Sequence, residues 1–184
     1  MKVIPLGAGA YEIQGVQDDI IDTLEEMSRN YKKYLPMSDI RHFHYEDDPI
    51  INMAALHLPI HLGLKLISTE YGETSFVFKP DMDRGEVFDW HSDFQEGTDM
   101  DCKLILYFVD GEANEETGDR IGFLDEETGE EVWCNIKNRF LVMHESRSKQ
   151  RFLHKREEYK QPLIRRVVLS MNCSGMDKFL AENL

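Results

Sequence analysis

Hydrophobic and polar positions along this chain follow two patterns that change over near residue 73. Between residues 17 and 35, Ile20, Leu24, Met27, Tyr31 and Tyr34 recur at helical spacing, which predicts one amphipathic helix. Asp18, Asp19 and Asp22 lie at its start and Lys32 and Lys33 near its end, matching the helix dipole, and Pro36 follows. Residues 36–49 are polar and irregular, while residues 50–70 are apolar and read as partly helical, interrupted at Pro59 and Gly63. Residues 1–73 are therefore expected to form an N-terminal helical support region. From Thr74 onward, short β-rich runs succeed one another: Thr74–Lys79, Glu86–His91, Lys103–Asp110, Arg120–Leu124, Glu130–Ile136, Arg139–His144, Arg151–His154 and Ile164–Met171, separated by Gly, Asp, Asn and Glu. Eight short strands at that spacing predict a sandwich or barrel over 74–172, its outer face covered by the long helix. The tail, 173–184, is expected to end in a short helix. The fold class is thus mainly β with flanking helices. No repeat, low-complexity tract or linker divides the 184 residues, so 1–184 reads as a single domain.

Composition changes this picture little. Hydrophobic content of 41% and charged content of 30% are those of an ordinary soluble globule. No apolar run approaches a membrane span, and Met-Lys-Val-Ile-Pro-Leu-Gly lacks the apolar core of a secretory signal. Cys102, Cys134 and Cys173 form no Cys-x-x-Cys pair and are odd in number, which favours reduced thiols and a cytoplasmic location. The net charge of −14 is uneven: ten acids and one base, Arg120, fall between Asp110 and Glu131, as expected of solvated hairpin loops. No basic stripe exists to hold a nucleic acid by broad electrostatic contact.

Candidate chemistry centres on His91-Ser92-Asp93, within the stretch Phe88–Phe94. On a strand, side chains two residues apart share a face, so this tripeptide would present an imidazole and a carboxylate together. A second imidazole would complete the 2-His-1-carboxylate set that holds Fe(II) for oxygen chemistry. Asp89 falls on the same face and could meet a cationic substrate group or serve a structural ion pair, while Trp90 should pack on the other side. His42, His44, His57 and His61 precede the strands without a matching carboxylate or Cys and read as structural or exposed. Gly7, Gly9 and Gly15 do not follow a strand and open a helix as a phosphate loop requires.

The run Asn138–Ser146, then Arg151-Phe-Leu-His154, then Leu163–Asn172 resembles the closing half of the double-stranded β-helix (jelly-roll, cupin-like) of the Fe(II)/2-oxoglutarate-dependent dioxygenases, in their prolyl-hydroxylase-like branch. Leu104–Asp110 is similar to that family's Tyr-Leu-Asn strand, and Glu116–Phe123 to its Gly-Gly-Glu-Leu turn; the likeness covers about Tyr71 to Asn172. The resemblance implies His91, Asp93 and His154 as iron ligands, with His144 a rival that reads better as a packed core residue. It implies that Arg166, Ser170 and Tyr107 bind the far carboxylate of 2-oxoglutarate. Arg166 is preferred to Arg165 because it shares a face with Ser170, and its planar fork suits a carboxylate.

The implied reaction consumes dioxygen and 2-oxoglutarate, releases succinate and carbon dioxide, and hydroxylates an amino acid, a peptide residue or a related small molecule. The retained carboxylate of Asp93 favours hydroxylation over halogenation. Three departures from the family pattern count against a prolyl substrate without removing a ligand: Asp119 replaces the second Gly of the turn, Lys155–Pro162 replaces a Pro-x-x-Gly segment, and Asn172 stands at a Trp position. The competing expectations are a cupin-like metal protein that does not use 2-oxoglutarate and a binding module without turnover.

Overall fold

The structure is a computed structural model that describes residues 1–34, 56–67, 77–79, 89–94, 96–158, 160 and 165–184; side-chain surroundings are described for these except at 30–34, 77–79 and 165–167. His42, His44 and the first halves of the expected strands Glu86–His91 and Thr74–Lys79 lie outside the described residues.

The chain opens with a hairpin, β1 (Lys2–Gly7) and β2 (Ala10–Gln14), where the sequence reading expects only helical support. Gly7, Ala8 and Gly9 all take positive φ, at 107°, 48° and 72°, and the Glu130 carboxylate accepts the Ala8 amide at 2.8 Å. Two flanking glycines make so tight a left-handed turn accessible; a Cβ at Gly9 would lie 2.7 Å from the Phe152 ring. The predicted helix follows as α1 (Asp18–Tyr34). It buries Ile21, Leu24 and Met27, and Ile20 packs at the edge of the same cluster.

The remaining strands are β3 (Lys65–Leu66), β4 (Val77–Lys79), β5 (Cys102–Asp110), β6 (Ile121–Asp125), β7 (Glu130–Cys134), β8 (Phe140–Glu145), β9 (Phe152–Arg156) and β10 (Arg165–Ser174), before a closing helix α2 (Met176–Asn183). Seven strands form a large antiparallel sheet ordered β1-β2-β8-β5-β10-β3, with β4 also paired to β10; β7-β6-β9 form a small one. The two sheets make the jelly-roll-like sandwich that the strand pattern predicts.

Strand alternation explains the two cores. Leu104, Leu106 and Phe108 of β5, Leu141 and Met143 of β8, and Leu169 and Met171 of β10 face the helices and join Leu24 and Phe179. The intervening residues, Ile105, Tyr107, Val109, Phe140 and Val142, face the small sheet and meet Ile121 and Phe123. Each large apolar side chain so buried contributes about 1.5–3 kcal/mol. A strand apolar on both faces needs cover on both, which is why β5 is almost wholly buried.

The acidic run is less solvated than its composition suggests. Asp125 is 5% exposed and pairs with Arg151 at 3.2 Å. Asp119 is 3% exposed, accepts from the Arg156 guanidinium and keeps a left-handed φ of 67°. An Asp tolerates that conformation better than most residues.

Candidate metal centre

His91 is not part of a regular strand. It forms a single antiparallel bridge with His154 of β9, its N–H donating to the His154 carbonyl at 3.1 Å and receiving the reverse bond at 2.9 Å. Directly opposed residues project to the same side, and the two imidazoles lie 4.4 Å apart. The chain then turns: the Ser92 hydroxyl donates to the Ser148 carbonyl at 3.2 Å and accepts the Phe94 amide at 3.1 Å. That turn brings Asp93 back over the histidine pair. Asp93 Oδ2 lies 3.2 Å from His154 Nε2, and Oδ1 lies 4.0 Å from His91 Nε2.

One donor atom from each of His91, Asp93 and His154 lies within 4.8 Å of the others. The expected shared face exists, although a bridge and a turn create it rather than strand pleat alone. The histidine orientation suits a cation. His91 Nδ1 is 2.8 Å from the Asp89 carbonyl; a carbonyl only accepts, so Nδ1 carries the proton and Nε2 presents its lone pair. Two imidazoles and one carboxylate with that tautomer fit a divalent first-row metal.

Other sequence-derived candidates fall as follows. Asp89 acts at the centre through its main chain; its carboxylate is fully exposed and lies 3.7 Å from Lys155 Nζ. His144 stays outside the triad, 1% exposed, with its ring 4.6 Å from Phe123 and 5.8 Å from His154. Burial pushes its pKa well below the usual histidine value, with help from His154 and Lys103, so it is a neutral core residue. Trp90 packs on Trp133 at 5.6 Å. Gly122 leaves room for both indoles; a Cβ there would lie 2.8 Å from Trp90 and 2.9 Å from Trp133.

Across β5 and β10 the inter-sheet positions form one row: Lys103 opposite Asn172, Ile105 opposite Ser170, Tyr107 opposite Val168 and Val109 opposite Arg166. Tyr107 is 3% exposed, with its ring 6.1 Å from Phe140. Ser170 is half-buried, and the Arg166 side chain lies outside the described residues.

Lys103 is the functional candidate that the sequence reading does not bring forward. Its ammonium forms an ion pair with Asp93 Oδ2, with the lysine side chain 13% exposed. The available signal was strand parity: a lysine sharing the face of Ile105 and Tyr107 must point between the sheets.

No family model matches the chain, and no curated protein matches it in sequence. Among solved structures it is similar to a prolyl 4-hydroxylase from Phytophthora capsici, with a TM-score of 0.61 at 16% identity over 91% of this chain. The chain spans 59% of that protein's length. The likeness is one of fold.

Proposed function

We propose that this protein is an Fe(II)- and 2-oxoglutarate-dependent dioxygenase that hydroxylates an amino acid, a peptide residue or a related small molecule. The observation that carries the reading is the convergence of His91, Asp93 and His154, with the His91 ring oriented by the Asp89 carbonyl. Bound iron would activate dioxygen, coupled to conversion of 2-oxoglutarate to succinate and carbon dioxide.

The chain's own residues supply holding and orientation. His91, Asp93 and His154 would hold the metal. Arg166, Ser170 and Tyr107 would hold the far carboxylate of 2-oxoglutarate; the register that opposes Ser170 to Ile105 and Arg166 to Val109 supports a common row for them. The inter-sheet core around Phe123, Phe140 and Val142 excludes water from the inner end of that row. Asp89 beside Lys155 forms a charged rim next to the centre, where a polar substrate group would be met.

All three cysteines are free and buried, which fits a reducing compartment, and we place the protein in the cytoplasm. Among the described residues no helix is long and apolar enough to cross a membrane.

The test is an anaerobic titration with Fe(II) and 2-oxoglutarate, followed by the weak visible charge-transfer band of the chelate. A band that forms with wild type and is lost with Asp93→Ala supports the reading. Well-folded protein that gives no band refutes the co-substrate and leaves a cupin-like metal protein or a binding module.

A further inference from the structure

The residue that the proposed chemistry leaves unexplained is the cation already seated on a metal ligand. Asp93 Oδ2 meets both His154 Nε2, at 3.2 Å, and the Lys103 ammonium. Lys103 reaches it from the large sheet, where it stands between His144 of β8 and Asn172 of β10. Both neighbours are buried, His144 at 1% and Asn172 at 8% exposure. The lysine side chain is 13% exposed and that of Asp93 32%, so solvent screens the pair only in part. Lys103 is part-buried, and leaving such an ammonium without a counter-charge is costly.

A divalent cation and Lys103 both require the same Asp93 carboxylate. We propose that Lys103 is a displaceable counter-ion: it holds Asp93 in metal-free protein, competes with the metal for it, and on metal loading passes to the metal-proximal carboxylate of the acid co-substrate. The second half rests on the 2-oxoglutarate reading above. Arg166 is not redundant with it. Arg166 stands opposite Val109, six residues further along β5, about 20 Å by strand rise. The two residues thus occupy separate positions on the row.

Asn172 suits this arrangement. It opposes Lys103 directly in the ladder and is itself only 8% exposed. Lys103 thereby couples the two binding events. Metal without the acid sets the lysine charge beside a second cation, and the acid without metal finds that charge engaged by Asp93.

The experiment compares wild type with Lys103→Met and Lys103→Arg, each checked for fold by circular dichroism. Mn(II) serves as a redox-stable probe and is titrated alone, with free ion followed by electron paramagnetic resonance. Lys103→Met removes both the competitor and a nearby positive charge, so Mn(II) should bind at least about fivefold more tightly. Unchanged or weaker binding overturns the proposal. At saturating Mn(II), calorimetric titration with 2-oxoglutarate should show affinity at least about tenfold weaker in Lys103→Met, with partial recovery in Lys103→Arg. Tighter Mn(II) with unchanged acid affinity overturns the anchoring half. Wild type that binds Mn(II) but no 2-oxoglutarate refutes the co-substrate reading instead, and the metal titration alone then decides the role of Lys103 at Asp93.

Discussion

Substituting Glu25 by Gln tests how α1 is locked onto the sheet near Val109, at the end of β5. Glu25 is 8% exposed and accepts hydrogen bonds from Asn138 Nδ2 at 3.1 Å, Arg29 at 2.9 Å and Arg139 Nε at 2.7 Å. Asn138 in turn accepts the Val109 amide at 3.1 Å, so the helix, the turn before β8 and the end of β5 share one polar knot. Burial alone would raise the Glu25 pKa, but the bonds from Asn138, Arg29 and Arg139 outweigh it and hold the carboxyl at about 2, from a usual 4.5.

A depressed carboxyl contributes stability above its unfolded pKa and loses it as pH falls through the folded value. The shift corresponds to at most about 3 kcal/mol, present at pH 7 and lost progressively between about pH 5 and pH 2. Urea unfolding at pH 7 should therefore find Glu25→Gln less stable by about 2–3 kcal/mol. In a chain of this length that lowers Tm by roughly 4–12 °C. The gap between wild type and variant should narrow steadily toward pH 3. A gap that stays constant across that range would show that the charge of Glu25 does not carry the linkage, and the argument would be wrong.

Other outcomes follow from the site. His154→Ala should weaken Mn(II) binding by about 100-fold or more, whereas His144→Phe should leave it within about threefold, both read by direct titration. Neutral burial of His144 also predicts that stability declines as pH falls below its unfolded value, because the unfolded chain takes up a proton that the folded one refuses; His144→Phe should flatten that part of the curve. Arg166→Ala should raise the 2-oxoglutarate concentration needed for half-saturation by about 30-fold or more while sparing metal affinity, measured at saturating metal. Gly122→Ala should destabilise by about 1–3 kcal/mol through its clash with Trp90 and Trp133. Because Trp90 precedes His91, the same variant should also weaken Mn(II) binding; unchanged affinity would show that the metal segment is held independently of the indoles.

Much of this protein was legible in one dimension. Helical spacing located α1 to within a residue at each end, and the period-2 runs from Lys103 onward each lie on an observed strand. These are local properties: where one face is buried, apolar periodicity follows from the element's own geometry. The same parity assigns Arg166 and Ser170 to one register row of β10, and the His-x-Asp spacing marked two members of the His91, Asp93 and His154 group. The hairpin at Lys2–Gln14 escaped because its turn, Gly7-Ala8-Gly9, is not one of the two-residue pairs that mark a hairpin most clearly. Its identity as sheet comes from pairing with β8, more than a hundred residues away.

What only the tertiary structure decided is what converges. The reciprocal bonds between His91 and His154 depend on contacts between distant segments. The seat of Lys103 on Asp93 depends on them equally. Sequence spacing constrains which way a side chain points, but not which remote group it meets; that is settled when two sheets close over a shared core.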